Sequence, residues 1–404
     1  MAAKRADELR IDIASLPDMA QAEMDFRDTS FFRSGDPSLQ LPSPSSIIQQ
    51  FGDQGACVVK LEHLNLAVKI GHSDYLRLEE VKTMRAIRQV FADTEVPVPE
   101  VFGWRKYGDD NFIYMSLMPG QTLREVWPTL TSDDKTLICV DLNRIVKELR
   151  RLGQGSSSRS IGIYPQTFFY MARADHDLAS INGGTVQDKF FKLDYEEGPF
   201  QTIKSFNDWL LAAATRQRPG PNGVTGPYRE YLPDTGEIYF THGDLTLGNI
   251  IISDGPGPRR IAGIIDWEQA GWYPEYWEYC KLLYGVEYQH EWRSDGWADK
   301  IMRPFETEWD VFAEYALWRC HVEACLRRRP SLQQNSNWLA SVKPSGLAQT
   351  LELSSRRRLD MNDSVAALDT DSNTTTVVFV SHGPDDRQPK YNAAVLASFP
   401  SGHA

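Results

Sequence analysis

Three side chains stand at a spacing that suits phosphate chemistry. Asp244 lies in Thr241-His242-Gly243-Asp244-Leu245-Thr246-Leu247-Gly248-Asn249-Ile250, and Asp266 follows in Ile265-Asp266-Trp267. Phosphoryl transfer from ATP asks little covalent chemistry of a protein. It needs metal ions to screen the phosphates, a carboxylate to orient the attacking hydroxyl, and a cation on the phosphate chain. Asp244 can accept the proton of a substrate hydroxyl as that oxygen attacks. The amide oxygen of Asn249 suits Mg2+, a hard cation that prefers oxygen ligands. Asp266, at a strand end beside that loop, can hold the metal that bridges the phosphates. A lone His-Gly-Asp recurs by chance, but Asp-x4-Asn followed by Ile-Asp-Trp between β-rich runs does not. On the plainer reading, Asp244 and Asn249 are turn residues and Asp266 caps a strand.

Strands must hold these residues, and the chain offers them. Runs over 238–241 and 249–253 bracket the loop, and 261–266 supplies a third. Further upstream, β-rich runs over 56–61 and 66–70 flank a polar turn, a hairpin signature. Apolar residues near helical spacing predict a helix over 74–91, which Val96-Pro97-Val98-Pro99 ends. Two more strands follow over 101–106 and 111–115. Met118-Pro119-Gly120 punctuates the block as a link between lobes. Residues 121–153 and 206–216 read as helical, 154–200 as irregular, and 274–329 as helical and rich in aromatics. Beyond about residue 330, Ser, Thr, Asn, Asp and Gln dominate without a period, which predicts a mostly disordered tail. The apolar run over 376–380 could form a strand there but has no evident partner. The expected organisation is a partly loose leader over 1–45, an N-lobe over 46–117, a C-lobe over 118–330 and the tail over 331–404.

This set resembles the aminoglycoside phosphotransferase and choline kinase superfamily, which shares the protein-kinase fold. THGDL, NI and GIIDWE followed by AGWYPEYWEY are most similar to the fungal phosphotransferase-like group. The resemblance implies an α+β fold of two lobes, with a small β-rich N-lobe and a larger, mainly helical C-lobe. It implies ATP and Mg2+ as partners and a hydroxyl of a small molecule as acceptor. Asp244 matches the catalytic base, Asn249 and Asp266 the metal ligands, and His242 a brace behind the loop. Ala67-Val68-Lys69 resembles the Val-Ala-Ile-Lys strand whose lysine holds the phosphates. Glu80 is the partner chosen for Lys69, since Glu80-x3-Met84-Arg85 fits the family's helix, with Glu79 beside it. Lys60 is a rival one strand earlier. Phe112 to Gly120 resembles the hinge, where backbone groups of Ser116, Leu117 and Met118 would meet adenine. Ser116 stands where the family often has Glu. No Gly-x-Gly-x-x-Gly loop covers the phosphates; Gly52-Asp53-Gln54-Gly55 is the one weak candidate.

The segment Trp267 to Tyr279 is dense in aromatics and carboxylates. It could hold a cationic amine, with Glu268 as the best contact, or the aromatics could simply pack against the larger lobe. His290 and His321 read as structural. The stretch 154–235 should form the family's variable substrate insertion, where Asp175 and Asp177 are candidate contacts or solvated loop carboxylates.

Bulk properties set limits. The chain has 404 residues, 41% of them hydrophobic, enough for two lobes. A net charge of −12 argues against nucleic acid as the main partner. The N-terminal MAAKRADELR is followed by no apolar run, so no secretory signal is read there. No window approaches the roughly 20 apolar residues of a membrane span. Five scattered cysteines without a Cys-x-x-Cys pair read as reduced thiols of a cytoplasmic protein. Two rivals share the motif. A pseudoenzyme would have lost one of Lys69, Asp244, Asn249 and Asp266. A protein kinase would carry a glycine loop and an Ala-Pro-Glu segment.

Overall fold

The computed structural model describes residues 9–12, 15–34, 39–52, 55–91, 95–153, 185–189, 198–215, 226–255, 257–287, 289–328, 374–376 and 398–400. Two short strands, β1 (Leu9–Arg10) and β2 (Glu23–Asp25), precede helix α1 (Pro44–Phe51). The hairpin follows as β3 (Cys57–Leu61) and β4 (Leu66–His72), which places Lys69 opposite Val58. Asn65 turns it with φ 50°, a left-handed conformation that a short polar side chain tolerates. Helix α2 (Glu79–Val90) starts five residues later than its spacing predicts, because the amides of Tyr75 and Leu76 close a turn on the His72 carbonyl. Its buried face carries Val81, Met84 and Ile87 together with Glu80. Strands β5 (Val101–Tyr107) and β6 (Asp110–Ser116) complete an antiparallel sheet in the order β2-β5-β6-β4-β3.

The leader departs from expectation. Its described residues pair and pack with both lobes and are not a loose preface. Phe31, Leu41 and Ile47 bury against Phe102, Phe112 and Tyr114 on the outer sheet face. The Tyr114 hydroxyl donates to the Pro42 carbonyl at 2.8 Å. Sequence alone hid this because 1–45 is polar on average, and its few large apolar residues have no regular period.

The link from Met118 runs into β7 (Gln121–Thr122). Gly120 there has φ 126°, and a Cβ would collide with the Ile252 carbonyl, so only glycine fits. The C-lobe continues through α3 (Leu123–Val126), α4 (Ser132–Leu149), β8 (Leu152–Gly153) and α5 (Ile203–Thr215). A capping box of Thr131 and Asp134 starts α4. Four short strands then carry the site: β9 (Ile238–Thr241), β10 (Ile250–Ile252), β11 (Ile261–Ile264) and β12 (Gly271–Pro274). β10 pairs with β11 and β7, and β12 pairs with β9. Helices α6 (Trp277–Tyr284), α7 (Glu291–Ser294), α8 (Trp297–Ile301) and α9 (Glu306–Arg328) close the lobe. Phe206 of α5 and Phe312 of α9 meet Trp277 edge-on at 5.1 and 5.2 Å, while Tyr273 stacks on it. The aromatics of 267–279 therefore serve packing, as the plainer reading expects.

β1 pairs in parallel with β8 of the C-lobe, and β2 pairs with β5 of the N-lobe. The N-terminal segment is thus a strap joined to both lobes. Far along the chain, β13 (Thr374–Thr376) and β14 (Ser398–Pro400) pair antiparallel; of the run expected over 376–380 only Thr376 belongs to β13, and 377–380 lie outside the described residues. The remainder of 331–404 lies outside the described residues, as do Asp175 and Asp177. No helix among the described residues is long and apolar enough to cross a membrane. Cys57, Cys139 and Cys280 carry free thiols.

Candidate functional site

The central residue of the site is Lys69. Its ammonium lies 2.7 Å from Glu80 Oε2 and 2.6 Å from Asp266 Oδ1, with Glu268 Oε2 at 3.8 Å. Strand β4 brings the lysine, the first turn of α2 brings Glu80, and the segment after β11 brings both other carboxylates. Glu79, the neighbour of Glu80, makes no contact with Lys69 among the described residues. Lys60, paired with Ala67 on the sheet face that also carries Lys69, is exposed. Burial opposes the Lys69 charge, but Glu80 first, then Asp266 and Glu268, outweigh it and raise its pKa. Burial, helped by Asp266 and Glu268, pushes Glu80 up to about 7 against the pull of Lys69. Asp266 is held below the usual carboxylate range: burial works to raise it, and Lys69 more than reverses this.

The loop between β9 and β10 is braced from behind. The His242 ring is fully buried against Trp267, centroid to centroid 4.4 Å. Its Nε2 donates to the Ile265 carbonyl at 3.1 Å, and its Nδ1 accepts from the Asp244 amide at 3.1 Å. That pattern requires the neutral ring. Burial, the largest influence, pushes the imidazole down to about 4. Gly243 adopts φ 75°, and a Cβ would lie 2.7 Å from the Gln269 carbonyl oxygen. The His242 and Gly243 amides both point at Glu278 Oε2, at 2.7 and 3.5 Å. Burial raises Glu278 to about 7, and its other oxygen has no hydrogen-bond partner among the described residues.

Asp244 and Asn249 meet across the loop. Asn249 Nδ2 donates to the Asp244 carbonyl at 2.9 Å and to Asp244 Oδ2 at 3.2 Å. The Ile265 amide donates to the Asn249 carbonyl at 2.9 Å, tying this loop to the Asp266 segment. Asp266 itself is left-handed, φ 65°. Burial raises the Asp244 carboxyl, with Lys281 pulling the other way, which makes it a better proton acceptor than a solvated aspartate.

The donor set fits magnesium. Asn249 spends its amide nitrogen on Asp244, which leaves its oxygen as a hard ligand. Asp266 spends Oδ1 on Lys69 and keeps Oδ2. Glu80, Asp266 and Glu268 also place oxygens within 4.8 Å of one another. Lys69 already sits among those three, so that trio is a lysine cage before it is a metal site.

At the hinge the sequence expectation narrows. The Ser116 amide donates to the Glu100 carbonyl at 2.8 Å and the Leu117 amide to the Asn65 carbonyl at 3.0 Å. Among the backbone groups expected there, the Met118 amide is the one N–H that makes no hydrogen bond among the described residues. At the other end of the cleft, Gly52 and Gly55 both have positive φ, and no atom would lie within 4 Å of a Cβ on either. Asp53 and Gln54 lie outside the described residues.

Several residues escaped the sequence reading. Glu268, offered as a substrate contact, pairs through Oε1 with Lys189. Lys281 Nζ bonds Asp188 Oδ1 at 3.0 Å and Gln269 Oε1 at 3.2 Å, and Trp277 Nε1 donates to Asp188 Oδ2 at 3.0 Å. The missed signal was a pair of charges, Glu278 and Lys281, inside an apolar, aromatic helix. His290 caps α7 through Nδ1 and is structural, as expected. The side chain of His321 lies outside the described residues.

Comparison with known proteins accords with this geometry. The family described as "Phosphotransferase enzyme family" matches residues 53–315. No curated protein matches the chain significantly. Similar solved structures include the GDP complex of wild-type aminoglycoside 2'-phosphotransferase-IIIa, 14% identical, covering 73% of this chain and 95% of that one, TM-score 0.43. Another is the GDP and kanamycin complex of APH(2")-IIia, with the same identity, coverage and score. A third is a thermostable mutant of aminoglycoside phosphotransferase APH(4)-Ia in ternary complex with ADP and hygromycin B, 13% identical, covering 73% and 96%, TM-score 0.39.

Proposed function

Because the chain belongs to the phosphotransferase enzyme family, we propose that it transfers the γ-phosphoryl group of ATP, with magnesium, to a hydroxyl of a small molecule. The observation that carries this reading is Lys69 bonded at once to Glu80 and Asp266, which joins a cation of the N-lobe to a carboxylate of the C-lobe. On this reading Lys69 turns from Asp266 to the phosphates while Glu80 keeps it oriented. Magnesium, held by the Asn249 amide oxygen and Asp266, supplies the charge screening that the transfer needs. Asp244 accepts the proton of the acceptor hydroxyl as its oxygen attacks. Asn249, bonded to Asp244 Oδ2, fixes the direction of that carboxylate. Neutral His242 holds the Asp244 amide, and so the loop, in place. The Met118 amide is the hinge donor for adenine.

The test is binding of Mg·ATP, followed by transfer to a panel of amino alcohols, sugars and secondary metabolites. Asp244→Asn should lower transfer by about 10³-fold and leave the nucleotide Kd within about threefold. A wild-type protein whose melting temperature ignores Mg·ATP overturns the reading. One that binds it but phosphorylates nothing is a binding module of the same fold.

A further inference from the structure

The loop from Asp244 to Asn249 contains no cation. Yet the transferring phosphoryl group spreads negative charge over three oxygens, and a cation meeting that charge, as an arginine finger does, is worth ~10³–10⁵ in rate. On the phosphotransferase reading above, we propose that Lys189, brought in from a segment outside the loop, is that cation. It rests on Glu268 and exchanges that carboxylate for the γ-phosphoryl oxygens of bound ATP.

The geometry distinguishes Lys189 from a solvated surface lysine. Its backbone is anchored: its amide donates to Gln269 Oε1 at 3.0 Å, and Arg319 Nη2 donates to its carbonyl at 3.2 Å. Its neighbour Asp188 is buried on Trp277 and Lys281. The ammonium end is exposed by contrast, with the side chain 51% accessible and Glu268 its one ion-pair partner among the described residues. Glu268 presents Oε1 to Lys189 and Oε2 to Lys69, so the two lysines approach one carboxylate from different lobes. Burial opposes the charge on Lys189, but Glu268, Asp266 and Asp244 together raise its pKa, and the head stays protonated. Lys281 also acts on Asp244, but it is buried and already bonded to Asp188 and Gln269, so it cannot reach a substrate.

In the transfer, the acceptor oxygen bonds the γ-phosphorus as the bond to the β–γ bridging oxygen breaks. The electron pair leaves on ADP, the hydroxyl proton passes to Asp244, and Lys189 keeps its own proton throughout. A lysine placed for the γ-phosphoryl group must discriminate ATP from ADP, whereas one that only neutralises Glu268 has no reason to. The experiment is calorimetric titration of the full chain with Mg·ATP and with Mg·ADP. Lys189→Ala should weaken Mg·ATP about tenfold and leave Mg·ADP within about twofold, and Lys189→Arg should restore most of the difference. Equal weakening of both nucleotides, or of neither, overturns the assignment of Lys189 while the wild-type affinity for Mg·ATP upholds the phosphotransferase reading. Wild-type protein that binds neither nucleotide overturns both.

Discussion

His242 does no chemistry in this site, yet the order of the loop depends on its staying neutral. The sign of its pH effect follows from the shift: a folded pKa of about 4 lies below the ordinary 6.5, so the folded state resists the proton. The stability this contributes is complete above pH 6.5 and is lost as pH falls toward 4, at most about 3 kcal/mol. Urea unfolding at pH 7.5 and pH 4.5 should show the stability gap between wild type and His242→Gln shrinking on acidification. A gap that widens would contradict the neutral-ring assignment. Residue identity was legible here because the Asp-x4-Asn and Ile-Asp-Trp spacings are short-range. The contact between Lys69 and Glu80 followed from the likeness of Ala67-Val68-Lys69 and Glu80-x3-Met84-Arg85 to the family's strand and helix. Glu278 and Lys189 were not legible, since each acts on partners more than thirty residues away in sequence, and no local pattern fixes such contacts.

Turns fix what strands only bring near. Gly243 is the clearest case, with φ 75° and no room for a Cβ before the Gln269 carbonyl. Gly243→Ala should cost on the order of 2 kcal/mol in thermal or urea unfolding, with a loss of transfer activity because Asp244 is the next residue. The strands of the N-lobe were readable from alternation and β-branched residues, and their observed ends differ from expectation by a residue or two. Element α2 was placed too early because helical spacing continued through a turn that the His72 carbonyl organises. The leader could not be read at all. Phe26 illustrates why: it is buried against Trp104 and lies under the Arg85 guanidinium at 3.9 Å, contacts made only once the sheet exists. Phe26→Ala should lower N-lobe stability by about 3 kcal/mol, read as a loss in melting temperature.

At the scale of the whole molecule, a two-lobed fold works by setting how far its cleft opens, and here the N-terminal strap joins the two sides. β1 is bonded to the C-lobe, β2 to the N-lobe sheet, and Gln89 of α2 donates to Ser15 in between at 2.9 Å. Deleting residues 1–20 should leave both lobes folded and raise the Kd for Mg·ATP several-fold, measured by calorimetry; an unchanged Kd would make the strap a passive cover. The same pairing bears on how the chain is made. A ribosome adding about 5–20 residues per second releases β1 well before β8, with roughly seven to thirty seconds between them. β2 can join β5 sooner, so the small lobe can mature with its first strand still waiting. The tie between the lobes therefore waits until residue 153 of 404 has been made, with β1 held open until then.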